Sequence, residues 1–160
     1  MSFTVDIQRD STENTPDDEV LHRAIGAALA LAPNAPDAPE LSLRIVDRTE
    51  MQQLNGTYRG RDYATNVLSF PADLPAHLEL PLLGDIAICA PVVIDEARDQ
   101  GKEPAAHWDH MLVHGVLHLL GYDHQTDMDA NEMEALETRI LAQLGRPDPY
   151  LIADLEEAQL

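Results

Sequence analysis

Residues 107–124, HWDHMLVHGVLHLLGYDH, concentrate the residues best suited to chemistry. As a helix, the stretch carries His107, His110, His114 and His118 on one side. At about 100° per residue, His114 and His118 differ by only about 40° and one turn of rise. His124 follows Gly121, a residue that can end a helix in a left-handed turn. Two imidazoles on one face and a third on the returning chain can close three sides of a tetrahedral metal site. Three nitrogen ligands leave the fourth position open. A zinc ion so held brings a bound water to a pKa of about 7 and polarises a carbonyl or phosphoryl oxygen.

The spacing His114-x-x-x-His118-x-x-Gly121-x-x-His124 has the histidine and glycine positions of the metzincin zinc motif. It departs at one place. The glutamate that would follow the first histidine as proton acceptor is Gly115 here. A peptidase reading weakens at that residue, while the metal reading does not. A lone histidine on an apolar helix is more often a hydrogen-bonded core residue than a ligand; three at this spacing reverse that expectation. His107 and His110 are expected to support or pack rather than ligate, and His22 and His77 to lie on the surface. Asp123 could orient an imidazole, accept a proton or cap the turn.

These residues must be positioned by one domain. The chain has 160 residues, enough for a single sizeable core. No run approaches the roughly 18 apolar residues of a membrane span, and the N-terminus lacks the pattern of a secretory signal. The single cysteine, Cys89, excludes an intrachain disulfide and a cysteine-rich zinc knuckle and suits a reducing cytoplasm. The net charge of −19 argues against broad nucleic-acid binding, although a local basic cleft is compatible with it.

Alternating patterns predict strands over 3–9, 41–46, 67–70 and 84–89. A first helix is expected from a Thr15 cap through Pro16 to about Leu31, and a second from a Thr49/Gln52 capping box to near Tyr58. Arg59 and Arg61 then fall in a turn, and residues 72–83 read as a surface loop. Pro91 opens a third helix that Gly101 can close. The histidine helix runs from about Pro104 to Leu120 and is apolar almost all round, as a central buried helix would be. Asp129 with Glu132 can start a last helix with Met133, Leu136, Ile140 and Leu144 on one face. One domain over 1–147 and an acidic tail over 148–160 are expected, in an α/β or α+β layer structure.

Several stretches together resemble the YbeY family of bacterial endoribonucleases. They are Leu54–Asp62 (LNGTYRGRD), Thr65–Pro71 (TNVLSFP), Leu83–Cys89 (LGDIAIC), His114–His124 (HGVLHLLGYDH) and Glu132–Glu137 (EMEALE). Where the family commonly reads RGKDKPT, this chain has RGRDYAT from Arg59 to Thr65, which loses a charge and a proline at Tyr63 and Ala64. The resemblance implies an α+β fold, with a mostly parallel four-stranded sheet, one antiparallel edge strand and about five helices around it, the metzincin-like zinc helix among them. It implies one zinc per chain on His114, His118 and His124, and a functional arginine at Arg59. The implied activity is metal-dependent cleavage of single-stranded RNA in small-subunit ribosomal RNA maturation and ribosome quality control. The implied partners are the ribosome, a small-subunit ribosomal protein and an assembly GTPase.

On that reading Arg59, helped by Arg61 and Lys102, would clamp a phosphate; its bland alternative is a salt bridge to Asp62 or another acid. Asn66 and Ser69 could position RNA or simply end a strand. The competing readings are a metallohydrolase of a peptide or small phosphoester, and a non-catalytic assembly factor braced by zinc.

Overall fold

A computed structural model describes residues 2–73 and 81–150. The element order is β1 (Thr4–Asp10), α1 (Asp18–Leu31), β2 (Glu40–Val46), α2 (Arg48–Arg59), β3 (Val67–Pro71), β4 (Leu82–Cys89), α3 (Ala90–Asp99), α4 (Pro104–Leu119) and α5 (Asp127–Gln143). The four strands form one sheet in the order β1-β2-β4-β3. β1, β2 and β4 run parallel, and β3 pairs antiparallel with β4 at the edge. The α+β expectation, with one antiparallel edge strand and five helices, is met.

The period-2 alternation of each strand sorts its side chains between two layers. Leu41, Leu43, Ile45, Ile86 and Ile88 enter the larger core, with Leu21, Ile25 and Leu29 of α1 and Met133 and Ile140 of α5. Val46, Ala87 and Cys89 face the other way, where Met51 of α2 and Leu68 of β3 cover them. Helix α4 lies within the larger core and touches α1, α3, α5, β3 and β4. Trp108, Leu112, Val113, Val116 and Leu117 are all buried there. Each such side chain contributes about 1.5–3 kcal/mol by leaving water, so the helix that carries the histidines is also a main source of stability. Its apolar circumference is what made that placement legible.

Three helix starts differ from expectation. Helix α1 is capped by Asp17, which accepts from the Val20 amide at 3.1 Å. The expected cap, Thr15, instead accepts from the Arg9 guanidinium, which also donates to the Pro16 carbonyl. Helix α2 begins at Arg48, ahead of the Thr49/Gln52 box. Its N-cap Asp47 caps nothing with its side chain, because that carboxylate accepts from Ser11 and Thr12. Helix α5 begins two residues before Asp129, with Thr126 accepting from the Asp129 amide at 3.0 Å. Each shift follows from a local acceptor that a pattern scan does not rank.

Pro71 ends β3 from inside the strand, which an edge position tolerates because no ladder donor is needed on the open side. Strand β4 starts at Leu82, two residues earlier than expected. Most of the expected 72–83 loop, with His77, lies outside the described residues. So does the expected tail from residue 151 on. Tyr150, within that tail stretch, packs back on the domain: its hydroxyl donates to Glu137 Oε2 at 2.8 Å.

Candidate metal centre

Helix α4 brings His114 and His118 to the same end of one face, as the four-residue spacing requires. The chain then turns. The Gly121 amide donates to the His118 carbonyl and the Tyr122 amide to the Leu117 carbonyl, each at 3.0 Å. Gly121 has φ of 99°, a conformation that residues with a Cβ rarely adopt. This turn returns His124 to the helix end, where Asp123 Oδ1 accepts from the His124 amide at 2.7 Å. Of the three roles open to Asp123, the contact made is the turn cap.

One ring nitrogen of each of His114, His118 and His124 lies within 4.8 Å of the others. The Nε2 atoms of His114 and His118 are 3.1 Å apart. Two zinc–nitrogen bonds at tetrahedral angle would set about 3.3 Å, so the pair fits a metal with little adjustment. Among the described residues no carboxylate or thiol joins the cluster. The donor set is three imidazoles with an open side, as expected. Burial, then the neighbouring His114 and His124, push the His118 pKa down to about 4. Its ring is therefore neutral at ordinary pH, the form a metal requires.

The open side faces a cleft of about 580 Å³ lined by Arg59, Asn66, Ser69, the three histidines and the Gly121–Gln125 turn. Arg59 is the last residue of α2 rather than part of the following turn, and Gly60 ends the helix with φ of 66°. Buried Asn55 donates to the Tyr63 carbonyl at 2.9 Å and folds the loop back. Asp62, the acid nearest in sequence, accepts from Gln52 at 2.7 Å. Arg59 is exposed and has no ion pair among the described residues. The expectation that Arg61 and Lys102 assist it is not met in the cleft lining. Arg61 is absent from that lining, and Lys102 lines a separate cavity beside His107 and His110. The cleft has one acidic lining residue, Asp123, so the strong negative charge of the chain is carried elsewhere.

Asn66 and Ser69 have structural partners. Asn66 donates to Glu96 and accepts from the Val67 amide. The Ser69 hydroxyl donates to the Gly115 carbonyl at 2.9 Å, tying β3 to the metal helix. His107 and His110 are buried supports, as expected. His107 Nε2 meets Glu96 Oε1 at 2.9 Å and His110 Nε2 meets Glu137 Oε2 at 2.6 Å. His22 is exposed.

Two buried acids were missed. Asp109 pairs with Arg146 at 2.8 Å. Glu137 is fully buried and reaches both His110 and His114. Burial opposes its charge, but the hydrogen bonds from His110 and His114 outweigh that and hold its pKa down to about 2. The signal was present: Glu137 is four residues after Met133, on the apolar stripe of α5.

A family model described as "Endoribonuclease YbeY" matches residues 5–145. Curated proteins named "Endoribonuclease YbeY" from Pseudomonas putida (strain W619) and Pseudomonas entomophila (strain L48) are each 55% identical over 147 residues, 91% of this chain and 92% of theirs. A solved solution structure, TM1509 from Thermotoga maritima, superposes with a TM-score of 0.58 at 23% identity over 86% of each chain, which is a likeness of fold.

Proposed function

Because the chain belongs to the YbeY endoribonuclease family, we propose that it is a metal-dependent endoribonuclease that cuts single-stranded RNA in maturation of the small-subunit ribosomal RNA and in ribosome quality control. The observation that carries this reading is one cleft holding three convergent imidazoles and an arginine without an ion pair among the described residues. His114, His118 and His124 would hold one zinc ion. The chemistry such an ion supplies when bound is Lewis acidity toward a phosphoryl oxygen and toward water. Arg59 would bind a phosphate oxygen pair through its planar fork and offset charge that grows in the transition state. Its exposed position, with no ion pair among the described residues, leaves those donors available. The Asp123 carboxylate keeps the His124 turn in place.

Residues 1–147 would form the catalytic unit, in keeping with a family match that ends at residue 145. The work would take place in the cytoplasm on the ribosome, with a small-subunit ribosomal protein and an assembly GTPase as partners. No helix among the described residues is long and apolar enough to cross a membrane. The peptidase alternative is disfavoured by Gly115, which stands where a metzincin-type peptidase carries its glutamate. The zinc-braced, non-catalytic alternative leaves Arg59 without a task.

The test is incubation of zinc-loaded protein with a single-stranded oligoribonucleotide and, in parallel, with a peptide mixture. Cleavage of the RNA alone, lost in folded His118→Ala, supports the reading. Turnover of peptides, or RNA cleavage undiminished in His118→Ala, contradicts it.

A further inference from the structure

A carboxylate buried like Glu137 is costly unless every lone pair finds a donor. Its two oxygens divide the work. Oε2 is shared by His110 Nε2 at 2.6 Å and the Tyr150 hydroxyl at 2.8 Å. Oε1 meets His114 Nδ1 at 3.1 Å. The other nitrogen of the same ring, His114 Nε2, is the one that faces His118 Nε2 across the cleft. A ring nitrogen directed at a carboxylate oxygen carries the hydrogen, so the opposite nitrogen is left with a lone pair. Among the described residues neither His118 nor His124 has a carboxylate on its ring. His114 alone of the three is oriented from behind.

We propose that Glu137 is the positioning residue of this metal centre, fixing His114 with hydrogen on Nδ1 and its Nε2 lone pair aimed into the cleft, while His110 and Tyr150 hold the carboxylate in place. The inference rests on the metal reading above. It makes the three ligands unequal: His114 is pre-oriented and strengthened as a donor, whereas His118 and His124 adjust to the ion. It also gives buried His110 a task at one remove from the metal. The same helix supplies a control. Glu96 and His107 form a similar acid–imidazole pair at 2.9 Å, but no ligand is attached to it.

The experiment has two parts. Zinc affinity is measured by competition with a chromophoric chelator for the wild type, Glu137→Gln, Tyr150→Phe and Glu96→Gln. Glu137→Gln is expected to bind about 10- to 100-fold more weakly, Tyr150→Phe to lose less, and Glu96→Gln to stay within about 2-fold of the wild type. Separately, ¹⁵N NMR of the metal-free wild type reads the His114 tautomer, with hydrogen expected on Nδ1. That measurement needs no variant to fold. Wild-type affinity in Glu137→Gln, an equal loss in Glu96→Gln, or hydrogen on Nε2 of His114 overturns the proposal. A wild type that binds no zinc overturns the metal reading instead, and the tautomer then still decides whether Glu137 orients His114.

Discussion

A Cβ added to Gly115 would stand 3.2 Å from the Ile86 Cγ2 methyl. It would also stand 3.3 Å from Val67 Cγ2, and Val67 lines the cleft, so the residue after the first metal-site histidine is wedged between the sheet and the cleft wall. A glutamate there would crowd Ile86 and Val67 at its first side-chain carbon. Gly115→Glu is expected to destabilise the protein by about 1–3 kcal/mol, the cost of overpacking. Gly115→Ala should cost far less, because a better helix residue offsets about 1 kcal/mol of the overlap. Urea unfolding of the two variants decides the matter: a Gly115→Glu protein as stable as the wild type would mean the side chain escapes the sheet.

Arg59 can be tested for function without disturbing the fold, since it is exposed and lacks an ion pair among the described residues. Arg59→Ala is expected to lower RNA cleavage by about 100-fold or more, as for other losses of a donor that meets developing charge. Its melting temperature and zinc affinity should match the wild type. Arg59→Lys keeps the charge but not the fork, and should fall between the two. Cleavage by Arg59→Ala at the wild-type rate would remove the arginine from the mechanism.

How far the site could be read from sequence differs by residue. His114, His118 and His124 were legible because an i, i+4 pair and a glycine turn are geometric statements in their own right. Arg59 stood out only through the family resemblance; a lone arginine near a glycine says nothing about direction. Arg61 and Lys102 were assigned to the cleft by charge alone. In the folded chain Lys102 is on the other side of His107, because the loop before α4 lies at the far end of that helix from the metal site. Glu137 was hidden by habit of reading: an acid within a helix stripe is taken as solvated. The mostly parallel sheet with one antiparallel edge strand came with the resemblance, and the strand order came only with the structure, since alternation marks strands but not their neighbours. At the first two helix starts, the expected or adjoining cap side chain is engaged by a partner 6–36 residues away in sequence, which a local pattern does not show.

Acid stability should depend on Glu96. Burial opposes its charge, but hydrogen bonds from His107 and Asn66 win and lower its pKa below the ordinary 4.5. A carboxylate whose folded pKa is depressed adds stability above its unfolded pKa, and that stability is lost as the pH falls through the folded value. Glu96 thus stabilises the fold at neutral pH, and that contribution declines once the pH falls below 4.5 and is gone below the lower folded value. Chemical denaturation from pH 7 to pH 3 should show a steeper loss for the wild type than for Glu96→Gln. Parallel curves for the two proteins would contradict this.

RNA binding should be weak and only shallowly dependent on salt. The cleft offers one arginine among the lining residues, and the chain as a whole carries −19. A single phosphate contact loses affinity only slowly as counterions compete, and the long-range repulsion that salt screens offsets part of that loss. Fluorescence anisotropy of a labelled single-stranded RNA across a salt series reads it. Tight binding with a steep salt slope would point to a basic RNA surface outside this cleft.

On the proposed function, a single metal on three histidines would make this cleft an RNA-cutting site. The most direct measurement is stoichiometric reconstitution: chelator-stripped protein is titrated with zinc, and the initial rate of RNA cleavage is followed at each addition. The rate should rise from near zero and level off at about one zinc per chain, with His118→Ala flat throughout. Full activity in the stripped protein, or the same rise in His118→Ala, would contradict the account.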